Sequence, residues 1–252
     1  MTNTAVGETL ISWKNVYKAF GTKRIFEGLD LEVKRGETLT IIGGSGTGKS
    51  VMLKCLIGLL YPDRGNIWFE GADVTTFGEK EIREVCKRVA MVFQGAALFD
   101  SLTVGENIAY PLREHLKELS KSQIAKRVAK NLKMVNLPGI EQMRPSDLSG
   151  GMRKRVGLAR AIAIEPEVIL YDEPTTGLDP ISTRVIDELI ISMKQQLGCT
   201  SIVVTHDMDS AFRVSDRMAM LSKRRIVASG TVKEMQASTN PDVRAFFDAR
   251  KS

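Results

Sequence analysis

The sequence predicts an α/β fold of right-handed strand–helix–strand units. Two uninterrupted runs, residues 168–171 and 201–205, have the character of strands buried on both faces of a parallel sheet. A third β-rich run, Thr38–Ile42, ends at a glycine cluster and leads straight into a helical stretch, residues 50–60.

Taken in order, residues 10–33 alternate apolar with polar and carry a Phe20-Gly21 turn, which predicts short antiparallel strands. The helix over 50–60 is stopped by Pro62-Asp63-Arg64-Gly65. Residues 66–74 read as another strand pair around Glu70-Gly71. Ser120 followed by Gln123 fits a capping box, and Ile124, Val128, Leu132 and Val135 recur at near-helical spacing behind it. A second helix is expected over 149–164. Residues 217–221 and 224–229, split by Ser222-Lys223, make a late hairpin. Asn240-Pro241 caps a short last helix carrying Val243, Phe246 and Phe247.

Composition narrows the classes. Hydrophobic residues at 43% and charged residues at 26% are those of an ordinary globular protein. Residues 1–10 lack the basic start and apolar core of a secretory signal, and the longest apolar stretch, 55–61, is far short of the ~20 residues that span a bilayer. Cys55, Cys86 and Cys199 form neither a CxxC pair nor a disulfide framework, so they are expected to be free thiols. Two histidines, His115 and His206, exclude a His-rich metal site, and His115 on a polar stretch reads as a surface residue. The net charge of +6 comes from short basic groups such as Arg83/Lys87/Arg88 and Arg153/Lys154/Arg155. No aromatics are interleaved with them as a base-stacking surface requires, so they read as solvated helix faces and no nucleic-acid partner is expected.

Gly43-Gly44-Ser45-Gly46-Thr47-Gly48-Lys49-Ser50 matches GxxxxGK(S/T) between a buried strand and a helix. Its glycines let the backbone fold so that N–H groups converge on an anion, and the helix dipole adds positive potential there. Lys49 is expected to reach the β- and γ-phosphates of a nucleoside triphosphate, with the Ser50 hydroxyl on Mg²⁺. Further on, the 168–171 strand ends in Asp172-Glu173. Alone, such a pair is an ordinary solvated strand end. On the sheet edge that carries a phosphate loop, Asp172 suits Mg²⁺, through water, and Glu173 suits an attacking water.

Leu148-Ser149-Gly150-Gly151-Met152, followed by 153–161, resembles the LSGGQ signature of the ABC ATPases. Physically it is a second phosphate site, with Ser149 as helix cap and two glycines exposing N–H groups. The resemblance covers roughly residues 10–247. It implies one ABC ATPase domain over 1–252, with a RecA-like P-loop core, an N-terminal antiparallel β-subdomain and a helical signature subdomain around 95–160. It implies that Phe20 stacks on adenine, that Gly43, Gly44, Ser45, Gly46, Thr47, Gly48, Lys49, Ser50 and Val51 form the nucleotide loop, and that Asp179 is a D-loop residue. It further implies hydrolysis by Glu173, His206, Gln94 and Lys49, Mg²⁺ held by Ser50, Gln94 and Asp172, and ATP sandwiched between the loop of one copy and Ser149, Gly150 and Gly151 of another. A head-to-tail homodimer on ATP follows.

The stretches 42–51, 93–104 and 106–114, Met152 in place of the usual glutamine, and 240–247 resemble the ATPase subunits of Mla- and Mce-associated lipid transporters. That resemblance implies phospholipid transport, an MlaE-like integral-membrane permease, an MCE-type lipid-binding protein in the wider complex, and a peripheral place on the cytoplasmic side of the inner membrane. Met152 departs from the general ABC pattern but leaves Ser149 and Gly150 intact. An ATPase for import of amino acids or another small solute is the alternative. An ABC protein of DNA repair or translation is disfavoured, because the interval from Ser50 to Ser149 holds no sustained heptad and the chain has one ATPase unit. A nucleotide binder without turnover is disfavoured by Asp172, Glu173 and His206.

Overall fold

The computed structural model describes residues 7–248, so residues 1–6 of the expected leaderless start lie outside the described part. The chain opens with β1 (Thr9–Phe20) and β2 (Lys23–Lys34), longer than the short strands expected. Along β2 the buried Leu29, Leu31 and Val33 alternate with exposed Asp30 and Glu32, so one face of this pair meets the core. β3 (Thr38–Ile42) is buried throughout and runs into the glycine loop.

Helix α1 spans Lys49–Leu56 and stops short of residue 60. The reason is Gly58, whose φ of 68° is left-handed and whose missing side chain makes room for Ile82, 2.8 Å from where a Cβ would sit. β4 (Arg64–Phe69) and β5 (Ala72–Asp73) form the anticipated hairpin. Then come α2 (Glu79–Arg88) and β6 (Val89–Val92), neither of which the pattern announced. Only Val85 of α2 is buried, too few apolar positions for a 3.6-residue period to register.

Three helices follow: α3 (Val104–His115), α4 (Lys121–Met134) and α5 (Gly150–Ala161). The Ser120–Gln123 capping box is formed, and Thr103 with Glu106 makes another on α3. His115 sits in the last turn of α3, half-buried. β7 (Val168–Asp172), α6 (Pro180–Leu197), β8 (Thr200–Val204), α7 (Met208–Val214), β9 (Arg217–Ser222), β10 (Arg225–Thr231), α8 (Val232–Gln236) and α9 (Pro241–Asp248) complete the order. The β9–β10 turn falls at Lys223 and Arg224, both left-handed.

Two sheets result. The antiparallel one has strand order β2-β1-β4-β5, and the other runs β10-β9-β3-β8-β7-β6. In the second, β9, β3, β8, β7 and β6 are mutually parallel and β10 pairs antiparallel to β9. β3, β7 and β8 are buried at every position, as double-faced cover demands. One core is shared by both sheets, with Trp13, Phe26, Leu53 and Ile67 beside Ile41, Leu170 and Val204. A second lies under α3–α6 and the other face of β7, around Ile108, Leu132, Val156, Tyr171 and Ile190. Cys55 and Cys199 are buried and Cys86 half-buried, all three free, and burial raises each thiol pKa, that of Cys55 to about 11. Among the described residues no helix is long and apolar enough to cross a membrane.

Candidate nucleotide site

The parallel strands β3, β7 and β8 end side by side, and the loop that follows each carries the reactive groups. After β3 the backbone turns at Gly43 (φ 151°), where a Cβ would stand 2.3 Å from the Leu221 carbonyl oxygen. It turns again at Gly48 (φ 107°), where a Cβ would meet Ile25 at 2.4 Å. No other residue type fits either position, so the loop can approach β9 and β2 only as glycine. Thr47 Oγ1 donates to the Gly44 carbonyl at 2.9 Å and closes the turn.

Lys49 Nζ folds back over this loop and donates to the carbonyls of Gly43 (2.9 Å) and Gly44 (3.1 Å). It is 6% exposed, and burial lowers its pKa although the charges of Glu173 and Asp172 oppose that. Ser50 Oγ donates to Asp172 Oδ1 at 2.6 Å, joining residues 122 positions apart. The two oxygens form a hard donor pair that suits Mg²⁺. Among the described residues no group of three or more His, Cys, Asp or Glu could hold a metal. An ion here therefore depends on further oxygens from water or phosphate.

Glu173 is left-handed (φ 50°), a conformation that costs a non-glycine residue on the order of 1–3 kcal/mol. Its N–H donates to the Val204 carbonyl at 2.8 Å. Its carboxylate lies 2.8 Å from His206 Nδ1, accepts from Thr176 Oγ1 at 3.0 Å, and stands 3.8 Å from Lys49 Nζ. His206 follows β8, and Asp207 behind it caps α7 by accepting from Asp209 and Ser210 N–H. Acid, imidazole and ammonium are thus assembled at one point by three separate strand ends.

These groups face a cleft of about 800 Å³. Phe20, 45% exposed at the end of β1, lines one side. Gly44, Ser45, Gly46, Gly48, Lys49, Ser50 and Val51 line the floor, and Gln94, exposed after β6, lines another wall with Glu173 and His206. Lys23, Ile25, Met208 and Phe246 also border it, and no motif marked them. Phe246 comes from α9, which is anchored by Asn240 donating to the Val227 carbonyl and by the Lys223–Asp242 ion pair at 2.9 Å.

Ser149, Gly150, Gly151 and Asp179 are not brought to this cleft. Ser149 caps α5 by accepting from Met152 N–H at 3.2 Å, and it and Gly150 are exposed. Asp179 caps α6, accepting from the N–H groups of Ile181 (3.0 Å) and Ser182 (2.9 Å). A Cβ on Gly151 would lie 3.3 Å from Ser182 Oγ, so the starts of α5 and α6 adjoin. The basic groups are not all solvated as expected. Lys154 turns inward to donate to the carbonyls of Thr176 (2.8 Å) and Glu173 (3.3 Å).

Comparison with known proteins gives these features a family. Residues 26–176, more than half of the chain, match the family described as ABC transporter. The chain is 42% identical over 241 residues to a probable ribonucleotide transport ATP-binding protein of Mycobacterium leprae, covering 96% of this chain and 69% of that one. It spans only 65% of the Mycobacterium tuberculosis protein of the same description. It is 39% identical over 239 residues to the intermembrane phospholipid transport system ATP-binding protein MlaF of Escherichia coli K12, covering 95% and 88%. Among solved structures it superposes on the dimeric ATP-binding cassette MJ0796, in a post-hydrolysis state bound to ADP and Pi, with a TM-score of 0.82, 30% identity and coverage of 88% and 99%. The chain belongs to the ABC transporter family, as one of its ATP-hydrolysing subunits.

Proposed function

We propose that two copies of this chain, each a single ABC ATPase domain over 1–252, clasp ATP between them and drive a separate membrane permease that moves phospholipid. The observation that carries the paired arrangement is the separation just described: a cleft holding Lys49, Glu173 and His206, and, away from it, an exposed helix start at Ser149. Each helix start offers unpaired N–H groups and a positive dipole end, the features a terminal phosphate recruits. The MJ0796 cassette, a dimer by its description, supports the same arrangement.

In this reading Phe20 stacks on the base and the loop N–H groups take the phosphates. Lys49 leaves the Gly43 and Gly44 carbonyls for the γ-phosphate. Ser50, Asp172 and Gln94 would hold Mg²⁺, whose chemistry when bound is to neutralise phosphate charge. Glu173 polarises a water whose oxygen bonds to the γ-phosphorus as the bond to the β–γ bridging oxygen breaks; the water's proton passes to the carboxylate and on to solvent. His206, already 2.8 Å from Glu173, contacts the departing phosphate.

The permease docks beside Gln94. Phe99 and Tyr110, 43% and 45% exposed with ring centroids 5.0 Å apart, supply an apolar patch where the chain leaves the Gln94 loop. The likeness to MlaF supports phospholipid as cargo, and the motif resemblance extends the proposal to an MlaE-like permease with an MCE-type protein beyond it and a peripheral place on the cytoplasmic side of the inner membrane. Ser149→Arg tests the paired site. Turnover disappears while each monomer still binds ATP, whereas normal turnover in dilute single subunits would sink the reading. Recovery of the permease and its lipid from detergent-solubilised membranes tests the cargo, and a co-purifying nucleotide or amino-acid carrier would refute it.

A further inference from the structure

We propose that Lys154, on the helix opened by Ser149, is a positioning residue for Glu173, acting through Thr176. The inference rests on Glu173 being the group that activates water.

Glu173 must keep its left-handed backbone to aim its carboxylate between His206 and Lys49. Such a conformation persists only where its surroundings over-determine it. Three contacts do so. The Glu173 carbonyl accepts from Thr176 N–H at 3.3 Å and from Lys154 Nζ at 3.3 Å, and the same Nζ donates to the Thr176 carbonyl at 2.8 Å. Thr176 Oγ1 then donates to the Glu173 carboxylate at 3.0 Å. Lys154 therefore holds both ends of a four-residue turn whose own hydroxyl orients the reactive oxygen.

The setting says that the ammonium has a task. Its half-buried side chain lines a small pocket with Leu158, Tyr171, Pro174 and Ile186, and its ammonium meets two backbone carbonyls, the kind of partners a partly buried charge requires. Burial lowers the Lys154 pKa, and the charge of the nearby Glu173 carboxylate opposes that. Its neighbours Arg153 and Arg155 bind elsewhere, to the Pro145 and Asn136 carbonyls.

The test is steady-state ATPase kinetics with separate ATP titrations. Lys154→Met and Thr176→Val each lower kcat at least about tenfold with KM within about twofold, the pattern of a group felt only in the chemical step. Lys154→Arg and Thr176→Ser keep at least about a third of kcat. The double variant is no worse than the poorer single by more than about threefold, because both act along one path. A Lys154→Met enzyme within twofold of wild type overturns the inference, as does equal loss in Lys154→Met and Lys154→Arg. Should Lys154→Met fail to fold, judged by far-ultraviolet circular dichroism, Thr176→Val decides alone by the same threshold. Glu173→Gln run alongside separates the two levels. Its inactivity beside a fully active Lys154→Met refutes only the positioning role, whereas its activity refutes the hydrolytic reading and this inference with it.

Discussion

Glu173 Oε2 lies 2.8 Å from His206 Nδ1, a contact between two adjacent strand ends, β7 and β8. It places a cleft-lining carboxylate against a side chain that is itself 60% exposed. Glu173 is 12% exposed and tied to Thr176, whereas His206 is open to the cleft, a division that fits the roles proposed for them.

Glu173→Gln keeps the shape and removes the proton acceptor. Phosphate release is expected to fall by roughly 10²–10⁴-fold, the range for losing general-base catalysis, with ATP binding retained. Steady-state phosphate assay checks it; turnover within a few-fold of wild type would remove Glu173 from this role.

Phe20→Ala should weaken nucleotide affinity by about 1–3 kcal/mol, the range for one base–aromatic stack, while Phe20→Trp keeps it. Titration of a fluorescent ATP analogue measures this. Equal affinity in wild type and Phe20→Ala would place the base elsewhere in the cleft.

Lys49 has a folded-state pKa below its ordinary 10.5, because burial disfavours the charge. Its protonated burial therefore costs stability at neutral pH, and the cost fades as pH rises through the folded value toward 10.5. Lys49→Met should be the more stable protein without nucleotide at pH 7, with the gap closing by alkaline pH, and should lose ATP affinity. Urea denaturation at pH 7 and pH 9.5 decides it; a Met variant less stable by the same amount at both values contradicts the burial argument.

Gly43→Ala drives a Cβ to 2.3 Å from the Leu221 carbonyl, and backbone cannot yield as a side chain can. A loss of about 1–3 kcal/mol is expected. Gly46→Ala, with φ 73° and nothing within 4 Å, costs only the left-handed penalty of about 1–2 kcal/mol. Denaturation midpoints of the two variants separate steric from torsional cost, and the reverse order would be unexplained by this geometry.

Strands β3, β7 and β8 were legible because cover on both faces leaves an unbroken apolar run, a signal carried by each strand alone. α2 and β6 were not: one buried valine in ten residues and a four-residue strand lack a period to detect. At the site, Gly43–Ser50, Asp172 and Glu173 stood out because short motifs of fixed spacing carry them, and the fold brings Ser50 to Asp172 and Lys49 to Glu173. Lys154 and Phe246 could not. Whether a lysine in a basic triplet faces water or a carbonyl depends on Thr176, and Phe246 reaches the cleft only because Val243 and Asn240 seat its helix.

Among the described residues the two sheets share a core but no strand ladder, and Arg224 ties them, its carbonyl accepting from Glu27 N–H at 3.0 Å and its guanidinium pairing with the Glu27 carboxylate at 2.9 Å. Phe20 rides on one sheet and Lys49 on the loop of the other. A ligand gripped at its ring by the first and at its tail by the second would act as a strut between them. Ligation at a hundred times Kd adds about 2.7 kcal/mol to the folded state. Each catalytic cycle would then stiffen and slacken the joint between the sheets, so amide exchange along β1 and β2 should slow on loading and quicken on release.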